Sequence, residues 1–229
     1  HFVPVPSNWH NVTIKKKKLP LKGYATYRIR ILLPEVKPAT LGLKFPAIRT
    51  SAKAFIDSRL ILEAGAVAQT PKFNRPIYKP CVVEVSPDWS EMRLIIQVSN
   101  YNYRKSGILN AIVLGDSQQL SQSRLRGLMF HMLLLGIIFF VGIYHISIYW
   151  LRRKSKETLY LGVFCLLLCL RILSVGERPL LEFINVPWFL LVKMEFFGFY
   201  VSLGVFTLFC YSVFPSLVNI YLVRFNVGI

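Results

Sequence analysis

Two kinds of residue pattern divide this sequence and predict a β-sandwich domain followed by an α-helical transmembrane bundle. Short runs of alternating apolar and polar residues fill the first half, and a period of two indicates half-buried strands. Three long apolar runs fill the second half. Each is close to or above the roughly 20 residues that a helix needs to cross a bilayer. The order of the two patterns therefore places a folded domain ahead of the first membrane span.

The predicted strands are short and regularly spaced. In residues 24–33, apolar side chains alternate with Thr26, Arg28 and Arg30. Asp57 and Ser58 separate two apolar runs, which predicts a hairpin turn. The other predicted strands are residues 41–45, 82–85, 92–99 and 108–114, with a turn at residues 87–88. Seven or eight strands at this spacing are typical of an antiparallel sandwich, and residues 1–120 suffice for one core.

The three spans are predicted at residues 128–151, 158–176 and 187–214. The first contains no ionised residue, the second contains Arg171, and the third contains Lys193 and Glu195. Residues 121–127 form a polar linker that is helical if it runs straight into the first span. Residues 215–229 are too short for a further span.

The net charge of +17 is concentrated in the first half, where residues 1–126 hold 20 Lys and Arg against 7 Asp and Glu. Such a balance suggests nucleic acid, an anionic membrane surface or an acidic ligand. Nucleic acid is discounted because the basic residues are scattered and no nucleic-acid-binding motif is present. Membrane lipid and a small-molecule or glycan ligand are the expected partners, and a second copy of the chain is left open.

The basic loop at residues 152–157 (RRKSKE) predicts the orientation. Short loops rich in Lys and Arg stay in the cytoplasm. The first half would then be periplasmic in a multi-pass protein of the inner membrane. Arg124 and Arg126 argue for the opposite orientation, but large folded domains are exported largely regardless of charge. The chain begins at His1, so a signal peptide is expected upstream.

Five segments resemble bacterial seven-transmembrane receptors that carry diverse intracellular signalling modules. The segments are residues 5–9 (VPSNW), 23–34 (GYATYRIRILLP), 60–78 (LILEAGAVAQTPKFNRPIY), 94–108 (LIIQVSNYNYRKSGI) and 159–180 (LYLGVFCLLLCLRILSVGERPL). The resemblance implies a jelly-roll ectodomain similar to galactose-binding domains. It also implies seven helices and a cytoplasmic output module. This chain departs from the pattern because it has about three helices and no output module. It also has Asp57 and Ser58 where the family often has Asn-Gly.

The candidate ligand-binding residues lie near the start of the chain and in two loops. Trp9 is either a platform for a sugar ring or a core residue at the sandwich edge. The first loop offers an amide, a guanidinium and a phenol, and the second offers two phenols and a guanidinium. Loops on a rigid β scaffold often carry binding groups, and Arg binds carboxylates and phosphates in bidentate fashion. These loop residues are Asn74, Arg75 and Tyr78 in the first, and Tyr101, Tyr103 and Arg104 in the second.

An intramembrane ion pair is predicted between Arg171 and Glu195. The second and third spans are joined by a short loop and should be antiparallel neighbours. At 1.5 Å per residue, both side chains would lie about 8 to 12 Å below the same membrane surface. Ionised residues inside a span usually face the protein interior and pair. The alternative is that each charge reaches the headgroups independently.

No catalytic arrangement, cofactor motif or metal-ligand spacing is visible, so this chain is not expected to be an enzyme. Cys165 and Cys169 are four residues apart and are interpreted as small packing residues rather than metal ligands. His131 and His145 share a helix face and are interpreted as donors of interhelical hydrogen bonds. The functional hypothesis is the ligand-sensing part of a bacterial signalling receptor, with carbohydrate as the expected ligand class. The alternatives are a membrane-anchored carbohydrate-binding or adhesion protein, and a transporter subunit.

Overall fold

A computed structural model describes residues 3–14, 16–36, 38–48, 50–85, 90–152 and 155–217. The chain divides into two compact units, His1–Leu125 and Arg126–Ile229. Several positions used in the sequence analysis lie outside the described residues. They are His1, the predicted turn at 87–88, positions 153 and 154 of the basic loop, and the tail beyond residue 217.

Within the described residues, the first unit is built from ten strands in antiparallel pairs. The strands are β1 (Thr13–Ile14), β2 (Lys17–Lys18), β3 (Gly23–Leu32), β4 (Leu41–Phe45), β5 (Ser51–Ile56), β6 (Arg59–Ala66), β7 (Arg75–Pro76), β8 (Cys81–Val85), β9 (Glu91–Asn100) and β10 (Val113–Asp116). A five-stranded sheet has the order β3-β9-β5-β6-β7, a three-stranded sheet has the order β10-β4-β8, and β1 pairs with β2. The predicted fold class is therefore confirmed for this unit.

The core lies between the two larger sheets. The three-stranded sheet contributes Leu43 and Phe45, and the five-stranded sheet contributes Met92, Leu94 and Ile96, all at most 1% exposed. Strand β3 alternates between half-buried and exposed residues along its whole length. The period of two seen in the sequence thus sorts side chains between the core and the solvent.

The hairpin turn between β5 and β6 forms without the Asn-Gly pair common in the family. Asp57 and Ser58 both have positive φ, 44° and 75°. A type I′ turn needs positive φ at both central residues, which Asp tolerates better than most residues. The predicted last strand was partly wrong, since β10 begins only at Val113. Gly107 has a φ of +92°, which breaks the extended backbone, and the Ile108 carbonyl instead accepts a hydrogen bond from the Ser7 amide at 2.8 Å.

The second unit is helical. The helices are α1 (Ser117–Arg152), which begins in the last residues of the first unit, α2 (Lys156–Ser174), α3 (Leu180–Phe183) and α4 (Trp188–Val213). Within the described residues, α1, α2 and α4 are long and apolar enough to cross a membrane. Helix α1 also includes the segment 121–127, for which the sequence predicted a polar linker.

Small residues allow the spans to pack closely. A side chain added at Gly162 of α2 would put its Cβ 2.6 Å from Ile146 Cγ1 and 3.0 Å from the Gly142 carbonyl of α1. A Cβ added at Gly198 of α4 would lie 3.4 Å from the Leu167 carbonyl of α2. Cys165 and Cys169 are buried on α2. Close helix contact through small residues is the usual arrangement in a bilayer.

Candidate ligand-binding site

The two predicted binding loops meet at the end of β9. The Ser99 hydroxyl donates to Asn74 Oδ1 at 2.6 Å, and Asn74 Nδ2 donates to Asn102 Oδ1 at 3.0 Å. The Tyr101 hydroxyl donates to the Gln69 carbonyl. Asn74 is only 8% exposed and Ser99 is fully buried. These hydrogen bonds hold residues 67–78 and 99–106 together as one loop cluster.

Asn100 organises the second loop from within. Its side chain is fully buried, and its Nδ2 donates to the carbonyls of Leu21, Tyr103 and Lys105 at 3.2, 3.0 and 3.4 Å. Its Oδ1 accepts from the Tyr103 amide at 3.0 Å. A buried amide that binds this many backbone groups fixes the path of the chain from β9 into the loop. The tyrosines of this loop were identifiable from the sequence, whereas Asn100 and Asn102 were missed.

Gly65 fixes the first loop against β6. It has a φ of +78°, and an added Cβ would lie 2.0 Å from the Arg75 carbonyl. Only glycine permits that approach, which lets β7 pair with the end of β6 at Gly65 and Ala66. The loop therefore leaves the sheet edge at a defined position, with Arg75 in strand β7 and Phe73 just before it.

Exposed groups surround this buried network. Phe73 is 65% exposed, and the Lys72 ammonium lies 5.8 Å from the centre of its ring. Arg75 and Arg104 are exposed, and neither makes an ion pair within the described ranges. The cluster thus offers an aromatic face and two guanidinium groups to solvent. Phe73 was not identified from the sequence. Its place in a short loop segment between Pro71 and Asn74 is the signal that could have indicated an exposed aromatic ring.

Two of the predicted site residues are less accessible than the binding hypothesis required. Trp9 is 4% exposed, and its indole N–H donates to the Pro20 carbonyl at 2.9 Å. Trp9 is thus part of the sandwich core, and its prediction as a ligand platform is corrected. Tyr78 is 6% exposed, so its ring is also buried, while Tyr103 is half-buried.

The predicted ion pair in the second unit named the wrong arginine. Glu195 of α4 accepts a hydrogen bond from Arg178 Nη2 at 3.3 Å, and the two side chains are 12% and 3% exposed. Arg178 has a φ of +57° and lies in the turn between α2 and α3. In the sequence, that turn is part of the short loop between the second and third predicted spans. Arg171 instead lies with its guanidinium carbon 4.8 Å from the centre of the Phe199 ring.

The two histidines of α1 also differ from expectation. His131 Nδ1 lies 2.6 Å from the Gly127 carbonyl, and His145 Nδ1 lies 2.9 Å from the Val141 carbonyl. Both bonds stay within one helix, at the preceding turn, where interhelical bonds were expected. No group of three or more potential metal ligands occurs in the part of the chain that the structure describes.

The two units together define a multi-pass membrane protein with an attached β-sandwich domain. Residues 127–229 match the family described as 7TM diverse intracellular signalling. The resemblance to seven-transmembrane signalling receptors is therefore confirmed for the helical part of the chain. No curated protein sequence matches the chain.

Several solved glycosidases are distantly similar to this chain. A β-glucuronidase from an uncultured Clostridium sp. is 18% identical with a TM-score of 0.39, and the match covers 49% of this chain and 22% of that enzyme. A β-galacturonidase from Eisenbergiella tayi is 17% identical with a TM-score of 0.35, covering 50% and 20%. The chain thus spans about a fifth of the length of these enzymes. The sandwich itself is defined by its own strand order and core.

Proposed function

We propose that this chain is the ligand-sensing and membrane-spanning part of a bacterial signalling receptor. The observation that carries the proposal is the match of residues 127–229 to a membrane signalling family, in a chain whose other unit is a separate β-sandwich. A receptor needs a binding domain and a membrane domain whose states a ligand can shift. The sandwich is the natural candidate for the binding domain.

The proposed ligand site is the loop cluster of residues 67–78 and 99–106. Its buried hydrogen bonds between Ser99, Asn74 and Asn102 give it a fixed shape, so that little ordering is needed on binding. Exposed Phe73 offers a face on which a sugar ring can stack. Arg75 and Arg104 offer charge-assisted hydrogen bonds to hydroxyl or carboxylate oxygens. The proposed ligand class is a carbohydrate, and the two arginines favour an acidic one.

Ligand binding is tested on the full chain in detergent. Thermal stability is measured against a panel of neutral sugars, uronic acids and their oligomers. At least one acidic glycan should raise the Tm in a saturable way. Arg75→Ala, Arg104→Ala and Phe73→Ala should each weaken that effect by about tenfold, the loss of one good contact.

The matched control is Arg59→Ala. Arg59 is exposed and starts β6 beside the hairpin turn. This turn lies near Leu94 of β9, whereas the loop cluster follows the C-terminal end of β9 at Asn100. Its removal takes away the same charge from the opposite end of the sheet and should leave binding unchanged. If no glycan in the panel binds the folded wild-type chain, the carbohydrate proposal is wrong, and an equal loss in Arg59→Ala would remove the loop cluster as the site.

The proposed orientation has the sandwich in the periplasm and residues 152–157 in the cytoplasm. It rests on the basic loop, which begins at the last residue of α1 and continues into Lys156 and Glu157 of α2. Ser90→Cys and Ser155→Cys, each in a chain without Cys81, are treated with an impermeant thiol reagent in spheroplasts. Ser90→Cys should be labelled and Ser155→Cys should be protected until the membrane is opened. The reverse pattern would invert the orientation.

A further inference from the structure

A cavity of about 330 Å³ lies within the second unit, between α1 and α2. Its walls are mostly apolar, and its polar side chains come from one residue of each helix. The lining residues are His131 and Ile138 of α1, and Leu168, Arg171, Ile172, Val175 and Gly176 of α2 and the turn that follows it. The volume is at the lower end of the range for small-molecule sites.

Arg171 brings a positive charge to this cavity without a carboxylate partner among the described residues. Its guanidinium packs on Phe199, 4.8 Å from the ring centre, and the carboxylate of the neighbouring span, Glu195, is bound by Arg178. An aromatic face offsets part of the cost of a cation in an apolar span. An anion offsets more, because an ionised group in hydrocarbon is expensive unless it is paired.

His131 is fixed beside the same cavity. A carbonyl oxygen only accepts hydrogen bonds, so the contact of 2.6 Å to the Gly127 carbonyl means that Nδ1 carries a proton. The other nitrogen, Nε2, faces Gly176, where an added Cβ would lie 3.0 Å from it. Glycine at that position, with a φ of +71°, leaves the room in which the imidazole ring sits. The ring is thus held in one orientation at the cavity wall.

Arg171 is also within reach of the membrane surface. It lies three residues before Ser174, the last residue of α2, or about 5 Å along the helix axis. A ligand with its head on Arg171 would extend its apolar part along Ile172, Leu168 and Ile138. Ile172 lies beside Arg171 on α2, Leu168 lies about one turn before it, away from the end of the helix, and all three apolar residues line the cavity. An acyl chain has the shape and the polarity that this wall requires.

We propose that the cavity between α1 and α2 binds an anionic amphiphile from the bilayer. Its carboxylate or phosphate head binds Arg171, and its acyl chain packs on Ile138, Leu168 and Ile172. Either a free fatty acid or an anionic phospholipid supplies this chemistry. The site is independent of the ligand site proposed on the sandwich, and its test uses no sugar.

The test is native mass spectrometry of the full chain in detergent with added phosphatidylglycerol, phosphatidylcholine or oleate. The chain should bind one equivalent of an anionic amphiphile about tenfold more tightly than phosphatidylcholine, whose head has no net charge. Preference for phosphatidylglycerol identifies a phospholipid, and preference for oleate identifies a fatty acid. Equal binding of all three would overturn the proposal.

Three variants separate the head contact from general lipid association. Arg171→Gln should abolish the preference for anionic ligands, and Arg171→Lys should keep part of it. The matched control is Lys193→Gln, because Lys193 also lies over a phenylalanine ring of a span, 5.8 Å from the centre of Phe189, but does not line the cavity. An equal loss of preference in Lys193→Gln would mean that any cation in a span attracts these lipids, and the cavity would not be the site.

The tail contact is tested by filling the cavity while Arg171 is kept. Ile172→Phe adds bulk to the wall and should weaken the binding of every acyl ligand about equally. The ratio of the affinity for anionic ligands to that for phosphatidylcholine should be retained. The circular dichroism spectrum and elution volume of each variant should match those of the wild type. Unchanged binding in a folded Ile172→Phe chain would show that the acyl chain lies elsewhere.

Discussion

The two units of this chain differ in the size of many of the residues that they bury. In the sandwich, the fully buried positions include large side chains such as Phe45 and Met92. In the helical unit, buried positions include Gly162, Gly198 and Ser202, while large aromatic residues such as Phe140 are exposed. Water drives large apolar groups into a core. A lipid bilayer exerts no such force, so helices meet where small residues allow close contact.

The units also differ in how they hold buried polar groups. The sandwich buries the neutral amide of Asn100 among backbone carbonyls. The helical unit buries opposite full charges, Arg178 and Glu195, with exposures of 3% and 12%. A neutral group that loses its partners leaves backbone groups unsatisfied, whereas a charge that loses its partner leaves a charge in an apolar medium. The expected cost of substitution therefore falls from the second unit to the first, and is lowest at the exposed ion pairs.

The largest effect is expected at the buried pair. Arg178→Leu removes the guanidinium that binds the buried Glu195 carboxylate and should destabilise the helical unit by about 3 to 5 kcal/mol. Glu195→Leu should have a similar effect, and the double variant should recover part of the loss. The measurement is the Tm of the full chain in detergent by a thiol-reactive or intrinsic fluorescence assay.

The control is a second double-mutant cycle, in which Arg171→Leu takes the place of Arg178→Leu. Arg171→Leu and Glu195→Leu should be additive, because Arg171 contacts Phe199 rather than the carboxylate. Coupling of Arg171 with Glu195, together with additivity of Arg178 with Glu195, would restore the ion pair predicted from the sequence and contradict the observed one.

A smaller effect is expected at Asn100. Asn100→Leu keeps the approximate size of the side chain but removes the donor to the carbonyls of Leu21, Tyr103 and Lys105. The sandwich should lose about 2 to 3 kcal/mol, since each buried group left unsatisfied is costly. The free energy of unfolding is measured by chemical denaturation, followed by tryptophan fluorescence of a chain in which Trp9, in the core, is the only tryptophan kept.

The control for this variant is Asn110→Leu, at an exposed asparagine ten residues further along the chain. It should change stability by less than about 0.5 kcal/mol, the usual range for surface positions. Equal losses in the two variants would mean that the buried network contributes no more than the solvent-exposed amide.

The sequence was sufficient to predict those parts of the fold that have a regular residue pattern. Alternation along β3 predicted which residues face the core, and apolar length predicted three helices long enough to span. It was insufficient at Ile108, which is apolar and buried yet lies outside any strand. Ile108 belongs to the sandwich core, and its backbone is held there by the hydrogen bond from the Ser7 amide to the Ile108 carbonyl. A contact between residues so far apart in the chain leaves no local pattern to read.

The site residues divide in the same way. The sequence identified both loops because prolines, tyrosines and arginines are conspicuous in them, and the structure brings those loops together through Asn74 and Asn102. It missed Asn100, whose role depends on which carbonyls converge on it, and it left Trp9 open between a ligand platform and the core, where Trp9 lies. It paired Glu195 with Arg171 because depth was counted along the helices, and it did not consider Arg178, which reaches Glu195 from a turn. Side-chain partners are set by tertiary contacts, and residue type alone does not specify them.

The smallest effect is expected at an exposed ion pair on the outer face of the sandwich. Arg30 donates to both carboxylate oxygens of Glu91, at 2.8 and 2.7 Å, and Arg93 Nε lies 3.5 Å from Glu91. The hydrogen bond from Arg30 holds the pKa of the Glu91 carboxyl below its ordinary value. A lowered carboxyl pKa in the folded state contributes stability above the unfolded pKa, and that contribution is lost as the pH falls through the folded pKa.

Arg30→Gln should therefore reduce the acid sensitivity of the sandwich while changing its stability little at neutral pH. Exposed ion pairs contribute little because water and salt screen them and the side chains lose entropy on pairing. Both Arg30→Gln and the control Arg59→Gln, an exposed arginine at the hairpin turn, are followed by Tm from neutral pH to below the ordinary carboxyl pKa. Only Arg30→Gln should reduce the fall of the Tm as the pH is lowered. A loss at neutral pH as large as that of Asn100→Leu would show that exposed charge pairs stabilise this domain as strongly as its buried amide, against the ranking argued above.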